Sequence, residues 1–245
     1  MPTNMKPVAI FRHFQTEGPG YFATFLDQRS IPWQLIAVDC GASVPISAES
    51  FSGLALMGGP MSVNDPLPWI DPVCALIRDA RARDIPVIGH CLGGQLISRA
   101  FGGEITRNPV KEIGWGKVHV DHSDSASRWL GDWQSKAGET ATVFQWHGET
   151  FSLPPGAKRL FTNEFCANQM FTLGPHLAMQ CHIEMTPDMI EEWCSFWTSE
   201  ISELEFFPSS IQTPEQMQQN MPARLTAMRS LADQLYSVWI GGLKS

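Results

Sequence analysis

The chain has 245 residues, with 17 Lys and Arg against 25 Asp and Glu, a formal charge of −8 and 43% hydrophobic side chains. That balance argues against a nucleic-acid surface, because a polyanion needs a basic face, and no run of about 18 apolar residues offers a membrane span. Such a chain buries roughly three quarters of its unfolded surface, which suits one large domain with a small addition.

In chain order, short apolar runs bounded by Gly, Pro and Ser alternate with longer amphipathic stretches: Val8–Phe11, Tyr21–Gln28, Trp33–Val38, Leu54–Met57, Ile70–Arg83, Val87–Gly89 and Leu92–Phe101. Runs such as Leu54-Ala55-Leu56-Met57 are apolar on both faces, which suits parallel strands covered by helices on each side. The predicted class is α/β, with a doubly wound, mostly parallel sheet. After Gly102-Gly103 the pieces shorten to Gly116–Val120, Thr140–Gln145, Lys158–Thr162, Asn168–Thr172 and Leu177–Cys181, which read as an antiparallel flank. Pro187–Ser199 reads as a helix, and Thr213-Pro214-Glu215-Gln216 carries a capping-box pattern with Pro at the first helical position. Pro222 should break or restart that helix, and Arg224–Trp239 places Leu225, Met228, Leu231, Leu235 and Val238 at helical spacing. The expected division is a main domain over 1–200 and a C-terminal helical appendage over 201–245 packed on it. Met217, Met221 and Trp239 of that appendage are core residues first and a dimer interface second.

Met1 to Pro7 has no signal-peptide run, so a cytoplasmic location is expected. Cys40, Cys74, Cys91, Cys166, Cys181 and Cys194 are too scattered for a disulfide scaffold, and no pair has CxxC spacing for zinc. Each reads first as a reduced, buried thiol. Cys91 has a further reading, because Gly89-His90-Cys91-Leu92-Gly93 joins a buried strand to a helix-like pattern as a nucleophile elbow does. A tight elbow needs small residues two before and two after the nucleophile. The helix start would surround the thiol with N–H groups and a dipole that favour negative charge. A glycine-rich turn holding a buried cysteine is the alternative.

A cysteine nucleophile needs a base and a group to orient it, and Gln180-Cys181-His182-Ile183-Glu184 offers both. Residues i and i+2 of extended chain share a face, so Glu184 can reach the His182 imidazole, although a surface pair has the same pattern. In Leu56-Met57-Gly58-Gly59-Pro60-Met61, the Gly59 N–H could join that of Leu92 as an oxyanion hole, or the glycines could mark a simple turn. His90 should point away from Cys91 and serve a structural hydrogen bond. His119 and His122 lack partners at ligand spacing, so no metal is expected. No glycine loop with a following Lys supports ATP binding, and no cofactor is expected.

Together these segments resemble the class I, triad-type glutamine amidotransferase family, in particular stand-alone proteins similar to the glutaminase domain of GMP synthase, from about Val8 to Glu184. The resemblance implies a flavodoxin-like fold and a thiol that attacks the side-chain amide of glutamine. It makes Cys91 the nucleophile, His182 the general base and acid, and Glu184 its orienter, with Gly59 and Leu92 as oxyanion-hole amides. It also implies substrate contacts from Gly58, Gln95, Trp146 and Gly148. Ile183 stands where many relatives have Pro, and Met61 where some have Gly, which affects pocket shape and removes no catalytic group. Lys111-Glu112-Ile113-Gly114-Trp115 resembles a segment of the stand-alone subgroup, with Glu112 read as a structural or rim carboxylate.

The expected partner is glutamine or another γ-glutamyl small molecule, with no nucleic acid and no membrane. A helical tail leaves no room for a synthase domain, so either a separate synthase chain accepts the ammonia or the substrate is not free glutamine. Three readings follow: a glutaminase or amidotransferase subunit; a γ-glutamyl peptidase or hydrolase; and a non-catalytic binding or regulatory protein with the same fold. The tail could also support a homodimer.

Overall fold

A computed structural model describes residues 5–202 and 209–245. The first half contains β1 (Val8–Arg12), α1 (Gly20–Asp27), β2 (Trp33–Ala37), β3 (Gly53–Leu56), α2 (Ile70–Ala82), β4 (Val87–His90) and α3 (Leu92–Ala100). There follow β5 (Ile105–Val120), α4 (Asp124–Ala137), β6 (Thr140–Phe151), β7 (Lys158–Thr162), β8 (Met170–Leu173) and β9 (His176–Met179). The chain closes with α5 (Pro187–Phe196), α6 (Thr198–Ser202), α7 (Pro214–Gln218) and α8 (Met221–Ile240).

Among the described residues the strands form one sheet in the order β2-β1-β3-β4-β9-β8-β7-β5-β6. The first five are parallel neighbours and the rest pair antiparallel. This is the predicted doubly wound core with its antiparallel flank. Strand alternation explains the two-faced apolar runs: Val8 and Ile10 enter one core cluster, while Ala9 and Phe11 enter the other. Phe22, Phe25 and Leu26 of α1 cover the first face, with α8 beside them; Val73, Ile77, Leu96 and Ile97 of α2 and α3 cover the second.

The flank departs from its predicted bounds. Gly116–Val120 and Thr140–Gln145 are the ends of a long pair, Ile105–Val120 with Thr140–Phe151. The register shifts between Arg107 and Glu112, around Pro109, whose ring cannot donate to a ladder. Polar residues and this bulge hide the strand from an apolar-run reading. Helix α4 was not predicted, although Ala126, Trp129, Leu130 and Trp133 are buried at helical spacing; Gly131, at φ +45°, interrupts it. The predicted Pro187–Ser199 helix ends at Phe196, and its start is capped by Thr186, whose hydroxyl accepts from the Met189 N–H.

Thr213 and Gln216 form the expected capping box, and Pro222 lies in the first turn of α8, where a missing N–H costs nothing. Leu225, Met228, Leu231, Leu235, Tyr236 and Trp239 are buried, each contributing roughly 1.5–3 kcal/mol if fully removed from water. Met217 is buried as well, and Met221 packs part-buried against the same cluster. Of the predicted 201–245 segment, 203–208 lie outside the described residues. No described helix is long and apolar enough to cross a membrane.

Candidate active site

The loops that follow β1, β3 and β4 supply Glu17, Gly59 and Cys91 to one cleft of about 800 Å³, at the carboxyl ends of the parallel strands. Cys91 sits between β4 and α3 at φ +47° and ψ −108°, a conformation that costs a non-glycine residue about 1–3 kcal/mol. The sequence around it makes this turn possible. A Cβ on Gly89 would lie closer than 3.0 Å to the backbone of Gly93, and one on Gly93 equally close to the Leu56 carbonyl. Gly94 meets the Met179 backbone in the same way, so α3 starts in contact with both neighbouring strands. The Cys91 thiol is 7% exposed, with Nε2 of Gln180 at 3.5 Å and the Trp146 carbonyl at 3.8 Å.

His182 arrives from the strand beside β4. β9 pairs parallel with β4, and the chain beyond it forms a bridge in which the His182 N–H donates to the Phe144 carbonyl at 2.8 Å. That bridge also brings Trp146 of β6 to the thiol. Nδ1–H of His182 donates to Oε1 of Glu184 at 2.6 Å, which fixes the tautomer and leaves the other ring nitrogen for the neighbouring Cys91. The ring lies edge-on to Trp193, with centroids 4.9 Å apart. Burial opposes a charge on His182, but Glu184 and Cys91 outweigh it and hold its pKa well above the ordinary value. Burial likewise opposes the Glu184 carboxylate, while His90 and His182 bring its pKa down to about 2. His90 faces Tyr236, whose hydroxyl is 2.9 Å from its Nε2, and it also approaches Glu184 at 3.7 Å.

The glycine turn after β3 packs on both partners. A Cβ on Gly59 would lie closer than 3.0 Å to Leu92, and one on Gly58 would lie within 3.0 Å of both Glu17 Oε2 and His182 Cε1. His13 supports the turn from beneath: its Nδ1–H donates to the Met57 carbonyl at 2.9 Å, and its ring stacks on Trp69. Gln95 is buried along the cleft and donates to Gln180, linking it to the thiol. Trp146 and Gly148 line the opposite wall. Trp146 donates through Nε1 to Glu200, which also pairs with Lys111 at 2.6 Å. All nine residues picked from the sequence therefore gather around one cleft.

Glu112 is buried rather than at a rim. It accepts from His147, Asn163 and Gln169 beneath β6. With Cys166, the Glu112 and His147 ligand atoms lie within 4.8 Å of one another. Each already has a protein partner, Cys166 being in contact with Thr150, and burial pushes its thiol up to about 11. The group buttresses the wall that carries Trp146. Sequence reasoning missed Glu17, His13 and Gln180; the only signal for Glu17 was its place after a parallel strand, where α/β sheets bind ligands.

A family model described as glutamine amidotransferase class-I matches residues 26–192. The chain belongs to this family. Among solved structures, a glutamine amidotransferase from Methylobacillus flagellatus is 42% identical, with TM-score 0.93 over 98% of this chain and 96% of that one. The glutamine amidotransferase-like protein YfeJ of Salmonella typhimurium is 29% identical over 73% of this chain and 76% of its own. Gamma-glutamyl peptidase 3 of Arabidopsis thaliana is 25% identical over 71% and 72%. The glutamine-hydrolysing GMP synthase of Aromatoleum aromaticum is 28% identical over 55% of this chain but only 26% of its own length. As a class I glutamine amidotransferase relative, the chain carries its elbow cysteine inside the matched segment.

Proposed function

We propose that this protein hydrolyses the γ-amide of glutamine or a related γ-glutamyl compound through a thioester on Cys91. The observation that carries the reading is the buried relay Glu184–His182–Cys91, set on an elbow that opens into a cleft. Cys91 Sγ attacks the amide carbon, and the oxygen that gains the electron pair is held by the Gly59 and Leu92 N–H groups. His182 gives its proton to the departing nitrogen, the C–N bond breaks, and ammonia or an amine leaves. Water then attacks the thioester with His182 taking its proton, glutamate departs, and the sulfur recovers its proton. Gln95, Trp146 and Gly148, with Gly58, hold the α-amino and α-carboxyl groups of the substrate.

A second reading, hydrolysis of γ-glutamyl peptides or amines, uses the same residues. It is supported by the cleft volume, which exceeds what glutamine fills, and by the likeness to a γ-glutamyl peptidase. If free glutamine is the substrate, a separate synthase chain receives the ammonia. The test measures ammonia, amine and glutamate release from glutamine and a panel of γ-glutamyl compounds, with Cys91→Ala as blank. Expected is turnover that the blank lacks by at least about 10⁴-fold; equal rates in both proteins would end the proposal.

A further inference from the structure

Glu17, between β1 and α1, is a carboxyl that no step above employs. It is 7% exposed, its Oε2 has no hydrogen-bond partner among the described residues, and it lines the cleft with Cys91 and Gly59. A buried polar atom without a partner is costly, and natural folds retain few of them. Gly58 is what lets it sit there, because a side chain at 58 would fill the space shared by Glu17 Oε2 and His182 Cε1.

That position has a direction. Nδ1 of His182 is committed to Glu184, so the other nitrogen delivers the proton to the leaving group. Cε1 lies between the two nitrogens, and Glu17 Oε2 shares with it the space beside Gly58, so the carboxyl stands on the imidazole's side of the cleft. We infer that Glu17 borders the leaving-group side of the site and selects γ-glutamyl amides whose leaving amine bears no carboxylate: ammonia and neutral or cationic amines, over amino acids and peptides. The inference rests on the proposed thioester reaction.

The chemistry is charge matching. Ammonia or a simple amine offers N–H donors to the unpartnered oxygen. An amino acid carries its carboxylate two bonds from the nitrogen, and two carboxylates at close range in a buried site cannot both stay ionised. Lys111, a cation on the cleft wall that could offset the second charge, is already held by Glu200. The charged groups that face Glu17 are His182, which favours its ionised form, and Glu184, which opposes it; burial is the larger effect and brings its pKa to about 7.

The experiment compares kcat/KM for glutamine, γ-glutamylmethylamide and γ-glutamylglycine in the full chain, its Glu17→Gln variant and the Cys91→Ala blank. Expected is at least a tenfold wild-type preference for glutamine and the methylamide over γ-glutamylglycine, shrinking about tenfold in Glu17→Gln while the methylamide-to-glutamine ratio holds. The wild-type preference should also be smaller at pH 6 than at pH 8, a reading that needs no variant. An unchanged ratio in a folded, active Glu17→Gln protein, or a wild type that prefers γ-glutamylglycine, overturns the assignment of Glu17 alone. No Cys91-dependent turnover of any of the three overturns the thioester reading and this one with it.

Discussion

Nδ1 of His182 and Oε1 of Glu184 meet at 2.6 Å, and each side chain is 1% exposed. Neither group would carry charge at that depth alone, so each depends on the other for its ionisation. The pair therefore links the proposed chemistry to the stability of the fold.

Glu184→Gln is expected to lower kcat by about 10²–10⁴-fold while leaving Cys91 in place. The same variant has a pH signature. His182 titrates above its ordinary value, so the stability it contributes is fully present below pH 6.5 and is lost as pH rises through its folded pKa. Glu184 titrates below its ordinary value, so its contribution is present above pH 4.5 and is lost as pH falls toward about 2. Urea midpoints of wild type minus variant should be largest between these limits and fall away on both sides; a difference independent of pH would refute the pairing.

Glu17 has the opposite sign. An acid whose pKa is raised from 4.5 to about 7 leaves stability intact below pH 4.5 and removes it as pH rises toward 7. Glu17→Gln should therefore stabilise the protein at pH 7.5, by up to about 3 kcal/mol, with the gain fading by pH 4.5. Chemical denaturation at the two pH values checks this, and a loss of stability at pH 7.5 would contradict it.

Gly93→Ala places a methyl group closer than 3.0 Å to the Leu56 carbonyl at the root of the elbow. Overpacking there should cost about 1–3 kcal/mol and shift α3 enough to slow alkylation of Cys91. Labelling of the folded variant by a glutamine-analogue electrophile gives the readout. Wild-type labelling kinetics would show that the turn tolerates a side chain.

Tyr236→Phe removes the hydroxyl that meets His90 Nε2 at 2.9 Å and leaves that buried nitrogen without its partner, at about 1–3 kcal/mol. Its effect on kcat should be smaller than that of Glu184→Gln, since Tyr236 acts behind the His182–Glu184 pair. Thermal unfolding and steady-state kinetics separate the two.

The parallel half of the fold was legible because its signal is local: Leu54-Ala55-Leu56-Met57 and Pro86-Val87-Ile88-Gly89 are short, apolar on both faces and closed by glycines. Cys91, His182 and Glu184 were legible for a related reason, since a strained elbow and a same-face pair each leave a mark within five residues. The first part of β5, before Gly116, was not, because its polar inward residues, Glu112 among them, are satisfied by Asn163, Gln169 and His147 from distant elements. Glu17 was not, because the space that holds it is defined by the absence of a side chain at Gly58, and no periodicity reports an absence.

β4 and β9 are immediate neighbours, yet everything from α3 to β8 intervenes between them along the chain. The thiol and the imidazole thus hang from adjacent strands of the parallel part of the sheet, while Trp146, Gly148 and the Glu112 buttress belong to the long excursion. Recarving the β5–β6 part of that excursion would resize this wall of the cleft without touching β4 and β9, the strands behind the thiol and the imidazole. One wall of the cleft and the strands behind the thiol are in this way carried by separate stretches of one polypeptide.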